Sequence, residues 1–320
     1  MRKHKKLIII LSVVAVCILI AAISISIALY LNYDDGEEVV IADTLPDGEG
    51  KRATVIILGG QSNASGASLD EYLKKTASPE KYAEYERGYD NVFINYISGL
   101  KKSGEFVKCS VRQGELEDGF GPELGIADKL NELYPDETFF IIKCAFGGSN
   151  LYRQWLSPTS FGKTGELYHT FSRFVKANLE YLKSKNYDIS IEAMCWMQGE
   201  SDSFSIDTAE DYEKNLKNLI KDIRKDFKAF ASDDGIAFVD AYIAENPTYW
   251  VHYEVVNAAK RSVSASSELN ALVDTVLHGL TCEGEPLGSP DLAHYDSESQ
   301  IKLGHLFAEE SAKFFDLRPH

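Results

Sequence analysis

A chain of 320 residues with 49 acidic against 33 basic side chains carries a formal net charge of −16, which argues against nucleic acid or anionic lipid as a partner. Arg2, Lys3, Lys5 and Lys6 gather four of the positive charges at one end, so the remainder carries about −20. Four cysteines lie beyond the first 31 residues, Cys109, Cys144, Cys195 and Cys282, with no C-x-x-C and no His/Cys cluster; they read as buried free thiols, not as a disulfide framework or a zinc site.

In chain order, residues 1–6 form a cationic tail and Leu7–Leu31 is an uncharged run of 25 residues. A helix needs about 20 apolar residues to cross a bilayer. The cationic flank stays on the cytoplasmic side, so the expectation is a short cytoplasmic tail, a single-pass anchor over 7–31 in the cell membrane and an extracytoplasmic remainder. A cleaved signal peptide has an apolar core of about 7–15 residues and a small-residue site at its end, and neither feature is present. Cys17 does not make a lipoprotein site, because Val16 stands where a small residue is needed. Residues 32–52, acidic and with Pro46 among glycines, read as a linker.

Over 53–320 apolar runs alternate with helical patterns. Strands are expected at 53–58, 91–97, 106–111, 138–145, 189–197, 236–240 and 271–277. Helical periodicity covers 123–133, 165–185, 208–230, 252–267 and 297–315. Short buried strands separated by long helices imply crossover connections, hence an α/β domain with a mostly parallel sheet and helices on both faces. Ligands bind such sheets beyond the carboxyl ends of the strands.

The distinctive residues gather at those ends. The first strand runs into Gly60-Gln61-Ser62-Asn63-Ala64, which lacks the last glycine of a G-x-S-x-G elbow and the G-K-[ST] ending of a phosphate loop. The fourth ends in Gly147-Gly148-Ser149-Asn150, followed by Tyr152, Arg153 and Trp155. The fifth ends in Gln198-Gly199-Glu200-Ser201-Asp202, more polar than a turn requires. Gln113-Gly114-Glu115 repeats that tripeptide, which by itself therefore assigns nothing. Before the last helix stands Asp291-Leu292-Ala293-His294-Tyr295, where a carboxylate three residues from an imidazole can fix its tautomer. The rival base is His278, which follows a strand-like run.

In their order along the chain these blocks, together with Phe120-Gly121-Pro122-Glu123, resemble the SGNH hydrolase superfamily. More narrowly they resemble its carbohydrate acetylesterase branch, which holds sialate O-acetylesterases and carbohydrate esterase family six acetylxylan esterases. The resemblance implies a flavodoxin-like three-layer sandwich over 53–320 and removal of O-acetyl groups from a carbohydrate through an acyl-enzyme, without metal or cofactor. Ser62 is then the nucleophile, His294 the base and Asp291 its orienting carboxylate. The oxyanion hole comprises the N–H groups of Ser62 and Gly148 with the Gln198 side chain. Gln61, Asn63, Tyr152, Arg153, Trp155 and Glu200 make up the substrate-binding set, with Glu200 also read as structural. An acetyltransferase using the same serine, and a catalytically silent glycan-binding member of the fold, are the alternatives.

Overall fold

The computed structural model describes residues 39–160 and 162–315. The expected tail and anchor lie outside the described residues, as does the first part of the linker. The rest of that linker is docked, not free. Tyr181 Oη accepts from the N–H groups of Thr44 and Leu45, and Asp43 pairs with Lys185 at 2.9 Å.

Six strands form the parallel body of the sheet: β1 (Arg52–Gly60), β2 (Val92–Ser98), β3 (Thr138–Ala145), β4 (Asp188–Met197), β5 (Ala237–Ala241) and β6 (Asn270–Val273). Their spatial order is β6-β5-β4-β1-β3-β2, and every neighbouring pair is parallel. β1 is buried from Ala53 to its end and β3 along its whole length, as near-continuous apolar strands covered on both faces should be. The chain leaves β1 toward β3 and β2, then recrosses β1 to reach β4. The carboxyl end of β1 is therefore the topological switch point, where open α/β sheets bind ligands.

Two helix pairs cover the sheet. α4 (Pro122–Leu133) crosses α8 (Ser297–Ala312) so closely that a Cβ on Gly304 would lie 2.2 Å from the Pro122 carbonyl oxygen. α6 (Ile206–Asp226) packs against α7 (Tyr253–Ser264), while α5 (Glu166–Ser184) lies against β3 and β4. The four cysteines are free and buried, as expected.

The expected strand at 106–111 shrinks to Val107–Lys108, paired antiparallel with β2. The Gln113 side chain takes the Ser110 N–H and the Lys108 carbonyl, withdrawing both from a longer ladder. The strand expected to reach 277 stops at Val273, because Asp274 Oδ1 accepts the Leu277 N–H and starts a turn. Helices α1 (Ser62–Ser65), α2 (Asp70–Thr76) and α3 (Pro79–Arg87) were not expected. Yet α3 carries a legible start: Ser78 Oγ accepts the Lys81 N–H, and Pro79 sits at the first helical position.

Candidate active site

β1 and β4 meet closely at their carboxyl ends. Gly60 has φ +140°, and a Cβ there would fall 1.9 Å from the Met197 carbonyl oxygen, so no other residue fits. The same carbonyl accepts the Gln61 N–H at 2.9 Å. The chain then turns into α1, four buried residues closed by Gly66, whose N–H bonds Ser62 O. Ser62 is 8% exposed, and its own N–H, at the start of this turn, donates to no other described residue.

His294 Nδ1 lies 2.6 Å from Asp291 Oδ2, while Asp291 Oδ1 accepts the Ala293 N–H at 3.1 Å. With its Nδ1 proton on Asp291, the imidazole leaves Nε2 as an acceptor. Burial alone would lower the His294 pKa, but the hydrogen bond and charge of Asp291 outweigh it and leave the group above 6.5. Asp291 answers in the opposite sense. Burial pushes it up, the bond and charge of His294 pull it down harder, and it ends below the ordinary carboxylate value.

No hydrogen bond joins Ser62 Oγ to this imidazole among the described residues, a looseness common in unliganded sites. Asn63, the residue after Ser62, couples the two turns instead. Its Nδ2 donates to Ala293 O at 3.3 Å and its Oδ1 accepts the Tyr295 N–H at 3.0 Å, gripping the chain on both sides of His294. Gln300 Nε2 holds Asn63 O at 2.7 Å, and Ser68 Oγ holds Tyr295 O at 2.7 Å. The same Nδ2 also donates to Glu200 Oε1 at 2.9 Å. Glu200 is 1% exposed, its Oε2 has no hydrogen-bond partner among the described residues, and burial raises its pKa.

β3 ends beside the same turn, with the Phe146 N–H on Gly60 O at 3.1 Å. Gly147 donates to Glu115 Oε2 at 3.1 Å. Gly148, at φ +65°, donates to no other described residue. Two uncommitted N–H groups, on Ser62 and Gly148, thus border the same end of the sheet.

Gln198 bridges the turns that follow β1 and β3. It is fully buried, and the two hydrogens of its Nε2 already face three acceptors: Asp202 Oδ2 at 2.6 Å, with Gln61 Oε1 and Ser149 O at 3.2 Å. Its Oε1 accepts from Tyr212 Oη. In this arrangement the carboxamide ties together the turns that follow β1, β3 and β4. Burial pushes Asp202 up to about 6, against the bonds it accepts from Leu151 N–H, Gln198 and Tyr152 N–H.

Four members of the expected substrate-binding set lie inside the protein in this structure. Gln61, Asn63, Trp155 and Glu200 are buried and hydrogen-bond to other groups inside the protein. The Trp155 ring, for example, packs edge-on against Trp196, and its Nε1 donates to Ser149 Oγ at 2.8 Å. Tyr152, at 43%, and Arg153 are exposed, on a turn fixed by Asp202 and by Asn150 Oδ1. Phe204, 45% exposed against Trp250, stands on the turn that carries Asp202. His278 is exposed on the turn after β6. Among the described residues no group of His, Cys, Asp and Glu is arranged to hold a metal. Sequence reasoning missed the Asn63 clamp, which needs long-range partners, and Glu115, whose repeated tripeptide was its only signal.

A family model described as carbohydrate esterase, sialic acid-specific acetylesterase, matches residues 52–313. A probable carbohydrate esterase of Arabidopsis thaliana is 29% identical over 261 residues, covering 80% of this chain and 88% of the relative. Among solved structures, an Arabidopsis thaliana protein aligns with a TM-score of 0.58 and 22% identity over 85% of this chain and 100% of its own. NanS aligns with a TM-score of 0.59 and 15% identity over 85% of this chain and 98% of its own. A carbohydrate acetylesterase from Xanthomonas citri gives 0.54 and 15% over 81% of this chain and 56% of its own. At these identities the likeness to solved structures speaks to the fold alone.

Proposed function

The chain belongs to the carbohydrate esterase, sialic acid-specific acetylesterase family and is a carboxylic ester hydrolase of that kind, and from this premise we propose that it removes O-acetyl groups from a carbohydrate through an acetyl-enzyme on Ser62. The observation that carries the reading is the 2.6 Å contact of His294 with Asp291 on a turn clamped to Asn63, the residue next to Ser62.

Ser62 Oγ attacks the acetyl carbonyl while His294 Nε2 takes its proton, and Asp291 steadies the imidazolium that forms. The N–H groups of Ser62 and Gly148 receive the oxyanion; one such donor typically contributes about 2.7–4 kcal/mol to the transition state. Collapse of the tetrahedral intermediate expels the sugar oxygen, which takes the proton back from His294. Water then attacks the acetyl-enzyme with His294 again as base, releasing acetate and restoring Ser62. Gln198 acts from behind, aligning Gln61 and Asp202. Tyr152 and Arg153 line the approach of the sugar.

The acidic surface suits a neutral acetylated glycan such as acetylated xylan. The Leu7–Leu31 run behind its cationic flank supports a single-pass anchor with the catalytic domain outside the cytoplasm. The test is acetate release by the full-length protein from acetylated xylan and from O-acetylated sialic acid side by side. Release from the xylan in preference supports the reading, and release from neither removes it.

A further inference from the structure

We infer that Glu115 is a positioning residue of this reaction, holding the nucleophile turn and the Gly147-Gly148 turn in register. The inference rests on the roles proposed for Ser62, Gly148 and His294. One carboxylate oxygen makes the link: Glu115 Oε2 accepts the Ser65 hydroxyl at 2.5 Å and the Gly147 N–H at 3.1 Å. Ser65 is the last residue of α1, and the backbone N–H of Glu115 bonds Gly66 O at 2.9 Å just beyond it. Glu115 is thus fixed to the end of the nucleophile turn by both backbone and side chain, and it reaches across to the turn that ends β3.

The surroundings make room for this side chain. A Cβ on Gly147 would lie 2.5 Å from Glu115 Oε2, and one on Gly99 would lie 2.8 Å from its Cγ. By taking the Gly147 N–H, Glu115 sets the plane of one peptide, and the next N–H, on Gly148, is the one left uncommitted. Its charge has a second effect. The charged groups that act on the imidazole of His294 are Asp291, Glu115 and Glu200, all carboxylates, and each favours the imidazolium. A carboxylate beside an oxyanion hole opposes the charge that develops there, a cost offset by gains elsewhere. Register and support of the imidazolium are those gains.

The experiment compares Glu115→Ala and Glu115→Gln in the full-length protein by kcat and KM on a chromogenic acetate ester across pH, with thermal melts. Glu115→Ala is expected to lower kcat about 30-fold or more with KM changed less than about twofold, as for a group acting mainly in the transition state. Glu115→Gln keeps an acceptor oxygen and should restore most of kcat on the alkaline plateau. Because it removes a negative charge, it lowers the His294 pKa, and the acid limb of kcat/KM moves to lower pH. The inference is overturned if Glu115→Ala stays within about threefold of the parent with its acid limb unmoved. It is equally overturned if both variants lose thermal stability while Glu115→Gln shows no shift of the limb, since Glu115 then serves stability alone. If Glu115→Ala does not fold, the acid limb of Glu115→Gln decides. Ser62→Ala, assayed alongside, tests the underlying reading separately: full hydrolysis by that variant removes the nucleophile whatever Glu115 does.

Discussion

Gln61, Asn63, Gln198, Glu200 and Asp202 are each 2% exposed or less and bind one another or the backbone, whereas Tyr152 and Phe204 keep 43% and 45% of their surface in solvent. The first group bonds to the turns that carry Ser62 and His294. The second group has apolar surface to offer and little holding it. On the proposed function, the contrast separates buried residues that hold the catalytic turns from an exposed rim open to the substrate.

The contrast can be broken first at the dyad. His294→Ala should abolish ester hydrolysis, and Asp291→Asn should lower kcat by on the order of 10³–10⁴-fold by favouring the wrong tautomer. His278→Ala should leave kcat/KM on a chromogenic acetate near that of the parent. Next comes the buried set. Asn63→Ala removes the grip on both neighbours of His294 and strips Glu200 Oε1 of its donor. It should cost about 3 kcal/mol of stability, read by chemical denaturation, and lower kcat by roughly 100-fold. A variant that keeps its kcat but loses stability would divorce the clamp from catalysis.

A smaller effect lies in pH. His294 must be neutral to accept the serine proton, and its pKa is raised above 6.5. The kcat/KM profile should therefore rise with pH through an apparent pKa above that value, and a limb centred below it would show that Asp291 does not govern the base. The smallest effect lies at the rim. Tyr152→Ala and Phe204→Ala should each lower kcat/KM on an acetylated oligosaccharide about fivefold, close to 1 kcal/mol of lost stacking, while hydrolysis of a small chromogenic acetate stays unchanged. Equal losses on both substrates would place these rings among the groups that shape the chemistry.

The sheet was legible in sequence because two-sided burial writes itself as apolar runs; 138–145 was bounded to the residue. The position of Ser62 after β1 and the Asp291–His294 contact were legible because strand ends and a local D-x-x-H spacing mark them. Short α2 and α3 were not, since seven and nine residues give too little periodicity to register. Burial of the polar residues was not legible. Spacing put Trp155 and Gln198 beside the chemistry, but only three-dimensional packing reveals that their polar atoms are consumed internally. Lys143 is the plainest case of what sequence hides, a charged residue inside an apolar strand, fully buried and paired with Glu123 of α4 at 2.8 Å. The partner lies 20 residues away in sequence, and no local pattern names it.

The central claim, that Ser62 carries the acetyl group between two half-reactions, is tested most directly by trapping. The full-length protein is mixed with an activated acetate ester, quenched in acid within milliseconds and digested, and the peptide holding Ser62 is weighed and fragmented. This peptide should gain the mass of one acetyl group at Ser62, the gain should decay as acetate appears, and it should be absent in Ser62→Ala. A steady-state turnover with no acetyl group on Ser62 at any quench time, or the same adduct on another residue in Ser62→Ala with turnover retained, would contradict it.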